Sequence, residues 1–186
     1  MGQLVHTLPE GEPVFGVTSL AGEIYLLRRK EEFQVEVYDV ITYRLQRCLI
    51  VPNILSLADM TSCEHNRCVY IADDLVQCVH RVDVQGAITP WVVNDVPWGL
   101  SVNAAHNVIV TCYVVRKIKE FNSHGDLLRE LVLPSDIINP WHAIQTRSGQ
   151  FIPGRQRPTE NNAELRAVFR DGVSRVPRKK KFRHSM

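Results

Sequence analysis

Along the first 150 residues, apolar positions recur in short runs broken by turn residues, and several runs alternate apolar and polar with period two. Phe33, Val35 and Val37 share one face of such a run, which predicts a half-buried strand. The runs come in groups. The first group opens at Val14-Phe15-Gly16-Val17, continues through 22–27, and breaks at the charged turn Arg28-Arg29-Lys30-Glu31-Glu32. It resumes over 35–39 and closes with Arg47-Cys48-Leu49-Ile50-Val51, ended by Pro52, which withholds a backbone donor.

The same grammar returns twice. Val69-Tyr70-Ile71-Ala72-Asp73 matches Ile24-Tyr25-Leu26-Leu27-Arg28 at an offset of 45, and Val79-His80-Arg81-Val82-Asp83 matches Val35-Glu36-Val37-Tyr38-Asp39 at 44. Val108-Ile109-Val110-Thr111 and Ile118-Lys119-Glu120-Phe121-Asn122 repeat the second group at an offset of 39, with Gly125 in register with the turn residue Gly86. A fourth group opens at Asn139-Pro140-Trp141-His142, restating Val96-Pro97-Trp98-Gly99, and stops after Pro153-Gly154.

Periods of about 40–45 residues with four short strands each mark a β-propeller, whose blades bury their faces only against one another. The expected fold is therefore all-β: a partial β-propeller of about three four-stranded blades, the start of a fourth, and a C-terminal basic tail. The predicted divisions are a lead at 1–13, blades at 14–53, 54–96 and 97–139, an incomplete blade at 140–154, and a disordered tail at 155–186. Three blades and an opening strand do not close a ring, so the expectation is a fragment of a longer propeller, or self-association through open blade edges.

The details resemble the NHL repeat, the blade type of the six-bladed domain that ends tripartite-motif and related proteins. The resemblance rests on Val69–Asp73, Val79–Asp83, the turn Gly86 and Pro97–Leu100, and it covers 14–152. It implies a non-catalytic platform that binds protein partners on one face, as the substrate-recognition part of a ligase-type protein. No RING, B-box or coiled-coil pattern occurs, so ligase activity itself is not expected.

Composition adjusts this picture in two places. The formal net charge of +2 averages two unlike segments: residues 1–154 carry 12 Lys/Arg against 17 Asp/Glu, and residues 155–186 carry 10 against 3. The tail segment Pro177-Arg178-Lys179-Lys180-Lys181-Phe182-Arg183-His184 resembles a nuclear-localisation signal or an anion-binding patch. Residues 162–170 read as a short helix ended by Gly172. Five cysteines, an odd number in strand-like runs, predict reduced thiols, and Cys63, Cys68, Cys78 with His65 or His80 lack the second short-spaced pair of a zinc site. Neither a membrane-spanning run nor a secretory signal is present, and His6 occupies the place where myristoylation wants Ser or Thr. The expected location is intracellular, cytoplasmic or nuclear, with no membrane partner.

Candidate binding residues are the basic side chains at matching blade positions: Arg28, Arg29, Lys30, Arg81, Arg116, Lys117 and Lys119. With the tail they support the alternative function, single-stranded RNA binding, although the acidic balance of the blades opposes it. Asn53, Asp95 and Asn139 recur on the loops entering successive inner strands and are candidates for the channel mouth. A second alternative is the remnant of a calcium-dependent propeller hydrolase, which would need several oxygen ligands there, and this ring holds a single carboxylate. Trp98 and Trp141 read as packing anchors between blades, and His80 and His142 as core or surface residues without an identifiable partner. No paired His/Asp constellation, nucleophile elbow or phosphate loop is found, so the expectation is no catalytic residue, metal or cofactor.

Overall fold

The structure is a computed structural model that describes residues 13–155. The predicted tail with Arg178, Lys179, Lys180, Lys181 and Arg183, its short helix and most of the lead lie outside the described residues. Fourteen strands form among the described residues. The first sheet holds β1 (Val14–Leu20), β2 (Glu23–Arg29), β3 (Phe33–Asp39) and β4 (Leu45–Ile50). The second holds β5 (Asp59–Cys63), β6 (Cys68–Asp73), β7 (Cys78–Asp83) and β8 (Ile88–Val92), and the third β9 (Gly99–Val102), β10 (Val108–Cys112), β11 (Lys117–Phe121) and β12 (Leu127–Val132). β13 (Pro140–Gln145) and β14 (Phe151–Arg155) make a two-stranded start of a fourth.

Every sheet runs up and down in chain order, with antiparallel neighbours. The first strands adjoin one another in sequence, β1 to β5, β5 to β9 and β9 to β13, so they stand side by side along one axis. The chain is thus a partial β-propeller of three complete blades and the opening of a fourth. Turns between first and second strands, and between third and fourth, lie at one end. Turns between second and third strands, and the links from blade to blade, lie at the other, which we call the mouth.

The strands hold because blades cover each other's faces. Tyr25, Leu27, Val35 and Val37 of the first blade close on Met60, Val69, Ile71 and Val82 of the second. The second blade's other face, with Tyr70, Ala72, Val79 and Trp91, closes on Val108, Val110 and Phe121. Ile109, Ile118 and Leu133 meet Ala143 and Phe151 of the fourth. Each large side chain buried this way contributes about 1.5–3 kcal/mol.

The residue that ends each third strand makes the turn that follows. Asp39 accepts the amides of Ile41 and Thr42, Asp83 those of Gln85 and Ala87, and Asn122 those of His124 and Asp126. Gly86 and Gly125 complete the second and third of these turns at φ of 91° and 89°, a region L side chains avoid.

One position departs from the amphipathic pattern in every blade. Glu36, His80 and Lys119 are equivalent in the repeat, look solvent-facing in their strands, and are all buried. Glu36 pairs with Arg28 at 3.0 Å and Lys30 at 3.1 Å and accepts the Tyr38 hydroxyl. Burial raises its pKa, and the hydrogen bonds from Tyr38 and Lys30 overcome that and hold it below the ordinary value. Lys119 donates to the Val93 carbonyl at 2.7 Å and pairs with Asp95 at the same distance. His80 lies 3.9 Å from the Asp73 carboxylate, and neither of its ring nitrogens meets a hydrogen-bond partner.

Burial depresses the pKa of His80 below its ordinary 6.5, against a weaker upward pull from Asp73. The unfolded chain therefore takes up a proton near pH 6.5 that the folded chain refuses. Stability is full above that pH and falls as pH drops below it, by at most about 1.4 kcal/mol per pH unit. His80→Phe should flatten the melting temperature between pH 7 and 5. Glu23, Glu36 and Glu120, all held below 4.5, act only at lower pH. Parallel losses in wild type and variant over that window would contradict the assignment.

Candidate functional site

The mouth is built from the first residues of the inner strands. In β1 and β13 the register slips by one, so that Phe15 and Trp141 are bulge residues with no partner across the sheet. Ala58 and Trp98 donate their amides to the carbonyls of Ala72 and Thr111, just ahead of β5 and β9, and so occupy the same place. The next residue in each blade is Gly16, Asp59, Gly99 and His142 in turn. Bulges of this kind re-aim side chains at the rims of sheets.

Asp59 and His142 come from blades two and four, yet the imidazole Nδ1 lies 3.4 Å from the Asp59 carboxylate. The same carboxylate oxygen accepts the Leu100 amide of the intervening blade at 2.8 Å. Their approach across β9 depends on Gly99, where a Cβ would stand 2.9 Å from the His142 Cα and closer still to the Trp141 carbonyl oxygen. The side chains remain 46% and 34% exposed for His142 and Asp59. An imidazole beside a fixed carboxylate can hold and orient a proton. Here the pair also ties three blades together at the axis.

Aromatic residues stand at the ends of the same inner strands. Trp98 lies 5.2 Å from Tyr113, tilted by 50°, and 5.5 Å from Trp141, edge to face at 68°. The two tryptophans therefore pack across the boundary of blades three and four, while Trp141 stays 40% exposed. Turns of blades two and three add exposed Leu75, Val76, Val114 and Val115 at the same end, beside Leu55 and Ile138 on the links.

Asn53, Asp95 and Asn139 sit on the links between blades. Asn53 and Asn139 take left-handed backbone at φ of 66° and 50°, and in the blade between them that role falls to Asn94 at 60°. They are turn formers, since asparagine tolerates this conformation better than other side chains. Asp95 is drawn off by Lys119 and by Lys117, which also pair with Glu130 at 3.5 and 3.0 Å.

The basic residues are spread over several surroundings. Arg28 and Lys119 are buried in ion pairs, and Lys30 and Lys117 are tied to carboxylates. Arg29 is exposed and lies over the Phe33 ring at 5.4 Å, Arg81 donates to the Asn66 carbonyl, and Arg116 is exposed in its turn.

The paired imidazole and carboxylate overturn the expectation that no His/Asp constellation exists. Alignment of Trp98-Gly99 with Trp141-His142 is legible in the sequence. Ala58-Asp59 carries no Pro-Trp mark, and only the shared bulge shows that it belongs to the same ring. Among the described residues no three His, Cys, Asp or Glu side chains converge as a metal site, and the five cysteines are free thiols.

Solved structures place this architecture among the β-propellers. The chain is similar to a streptogramin B lyase structure, with a TM-score of 0.66 and 12% identity over 78% of this chain and 49% of that one. It is also similar to virginiamycin B lyase from Staphylococcus aureus (TM-score 0.60, 12% identity, 75% and 48% covered) and to a protein from Lactobacillus plantarum (TM-score 0.60, 14% identity, 80% and 50% covered). The chain spans about half the length of these structures. At such identities the likeness concerns the fold. No family model matches the chain, and no curated protein matches it in sequence.

Proposed function

We propose that the chain is a non-catalytic, NHL-like interaction module that holds a protein partner against the mouth end of its blades. The observation that carries this reading is the make-up of two equivalent turns. Between second and third strands, blade two presents Leu75 and Val76, and blade three presents Val114 and Val115. Leu75 and Val114 are 66% and 61% exposed.

Turns ordinarily take polar residues because they face water. Four aliphatic side chains at matching places on one end, Leu75 and Val114 mostly exposed and Val76 and Val115 partly so, offer a patch suited to a protein surface. The equivalent turn of blade one carries Glu31 and Glu32, which would rim the patch. The RNA alternative draws less support, because Arg28 and Lys119 are buried and Lys30 and Lys117 already neutralised.

The double variant Leu75→Glu/Val114→Glu tests the reading. Both side chains point to solvent, so the melting temperature should stay within about 2 °C of wild type, as surface changes usually do. Proteins cross-linked to the wild-type chain in cell extract should be lost with the variant. Equal recovery by both would overturn the proposal.

A further inference from the structure

We propose that the corner between Trp98 and Trp141 binds an organic cation, an alkylated ammonium group, with Asp59 supplying the opposing charge. The two indoles meet edge to face at 68°, so together they form an L-shaped corner and not a slot for a flat ring. Tyr113 packs on Trp98 at 5.2 Å, tilted by 50°, and steadies that indole. Aromatic faces carry negative potential, indole most strongly, and attract a cation within about 6 Å of the ring centre. A bulge leaves Trp141 without a partner across its sheet and free to face the mouth, where it is exposed.

Charge selects the ligand. Asp59 is held by the Leu100 amide, two residues beyond Trp98, and by His142, next to Trp141, so the carboxylate stands at the strand ends that carry both indoles. It stays a third exposed. The other carboxylate near this end, Asp95, is committed to Lys119 and Lys117. A neutral apolar group would fit the corner but gain nothing from Asp59. An anion would be repelled by both the rings and the carboxylate. The group could belong to a free small molecule or to a methylated lysine of a peptide. This site is adjacent to the aliphatic turns of the proposed protein contact, and it is tested on different residues, so either can fail alone.

The test titrates the full chain with tetramethylammonium, with a peptide bearing trimethyllysine, and with the same peptide carrying the neutral tert-butyl isostere. Tryptophan fluorescence is the readout, since Trp98 and Trp141 are partly exposed and Trp91 is buried. Saturable quenching by the cations is expected, with Trp141→Ala and Asp59→Asn each weakening it about tenfold and the isostere binding at least about tenfold more weakly. Circular dichroism of both variants confirms the fold, and either variant alone suffices. A peptide that binds far more tightly than tetramethylammonium assigns the source to a protein, and equal affinities assign it to a small molecule. Absence of saturation with either cation, or an isostere as tight as the cation, overturns the proposal.

Discussion

Asp73→Ala should cost the chain roughly 3–4 kcal/mol, the largest loss expected from any single truncation of a polar side chain here. Asp73 is fully buried at the end of β6, and its two oxygens serve four backbone amides. Leu55 and Ser56 donate to it from the link that arrives from blade one, at 2.7 and 3.3 Å. Leu75 and Val76 donate from the turn that follows, at 3.2 and 3.3 Å. Truncation removes the acceptor of all four amides at once and releases both the link and the aliphatic turn of the proposed contact. Asp73→Asn keeps one acceptor oxygen and should lose about half as much. Urea denaturation measures both, and hydrogen exchange at the four amides should accelerate before global unfolding. A variant within about 0.5 kcal/mol of wild type would show that the link and turn hold without the carboxylate.

Gly99→Ala should cost about 2–3 kcal/mol through a different cause. The added methyl meets the backbone of β13, the Trp141 carbonyl and the His142 Cα, which cannot swing away as a side chain could. β13 must shift outward. That shift separates His142 from Asp59 and opens the Trp98–Trp141 contact, so the near-ultraviolet circular dichroism of the tryptophans should weaken together with the melting temperature. Gly16→Ala serves as the milder comparison, since its methyl would approach the Met60 Cβ at 3.1 Å, an overlap far smaller than the one at Gly99. A Gly99→Ala chain with wild-type stability and spectrum would mean the inner strands are less tightly packed at the axis than the distances show.

These two residues illustrate what a single chain reveals. Asp73 was marked by its place at the end of an apolar-Tyr-Ile-Ala-Asp strand, and its role as a cap follows from ordinary turn chemistry. Gly99 was visible as part of Pro-Trp-Gly, but its neighbour across the axis was not. The basic residues mislead in the opposite direction. Lys119 and Arg28 look like solvated charges in alternating strands, yet both are buried in ion pairs, because a propeller blade is covered on both faces and period two no longer separates inside from outside.

Local pattern therefore reached the strands, their turns, the repeat and the propeller class, all of which depend on residues within one blade or at a constant offset. The mouth is another matter. Asp59 and His142 are far apart in the chain and belong to blades that are not neighbours, so their 3.4 Å approach depends on how tightly three inner strands pack around the axis. That packing is set by a glycine and by one-residue bulges, features that leave no periodic trace. Composition assigns charge to a residue; the strands and links that fold beside it assign that charge a partner.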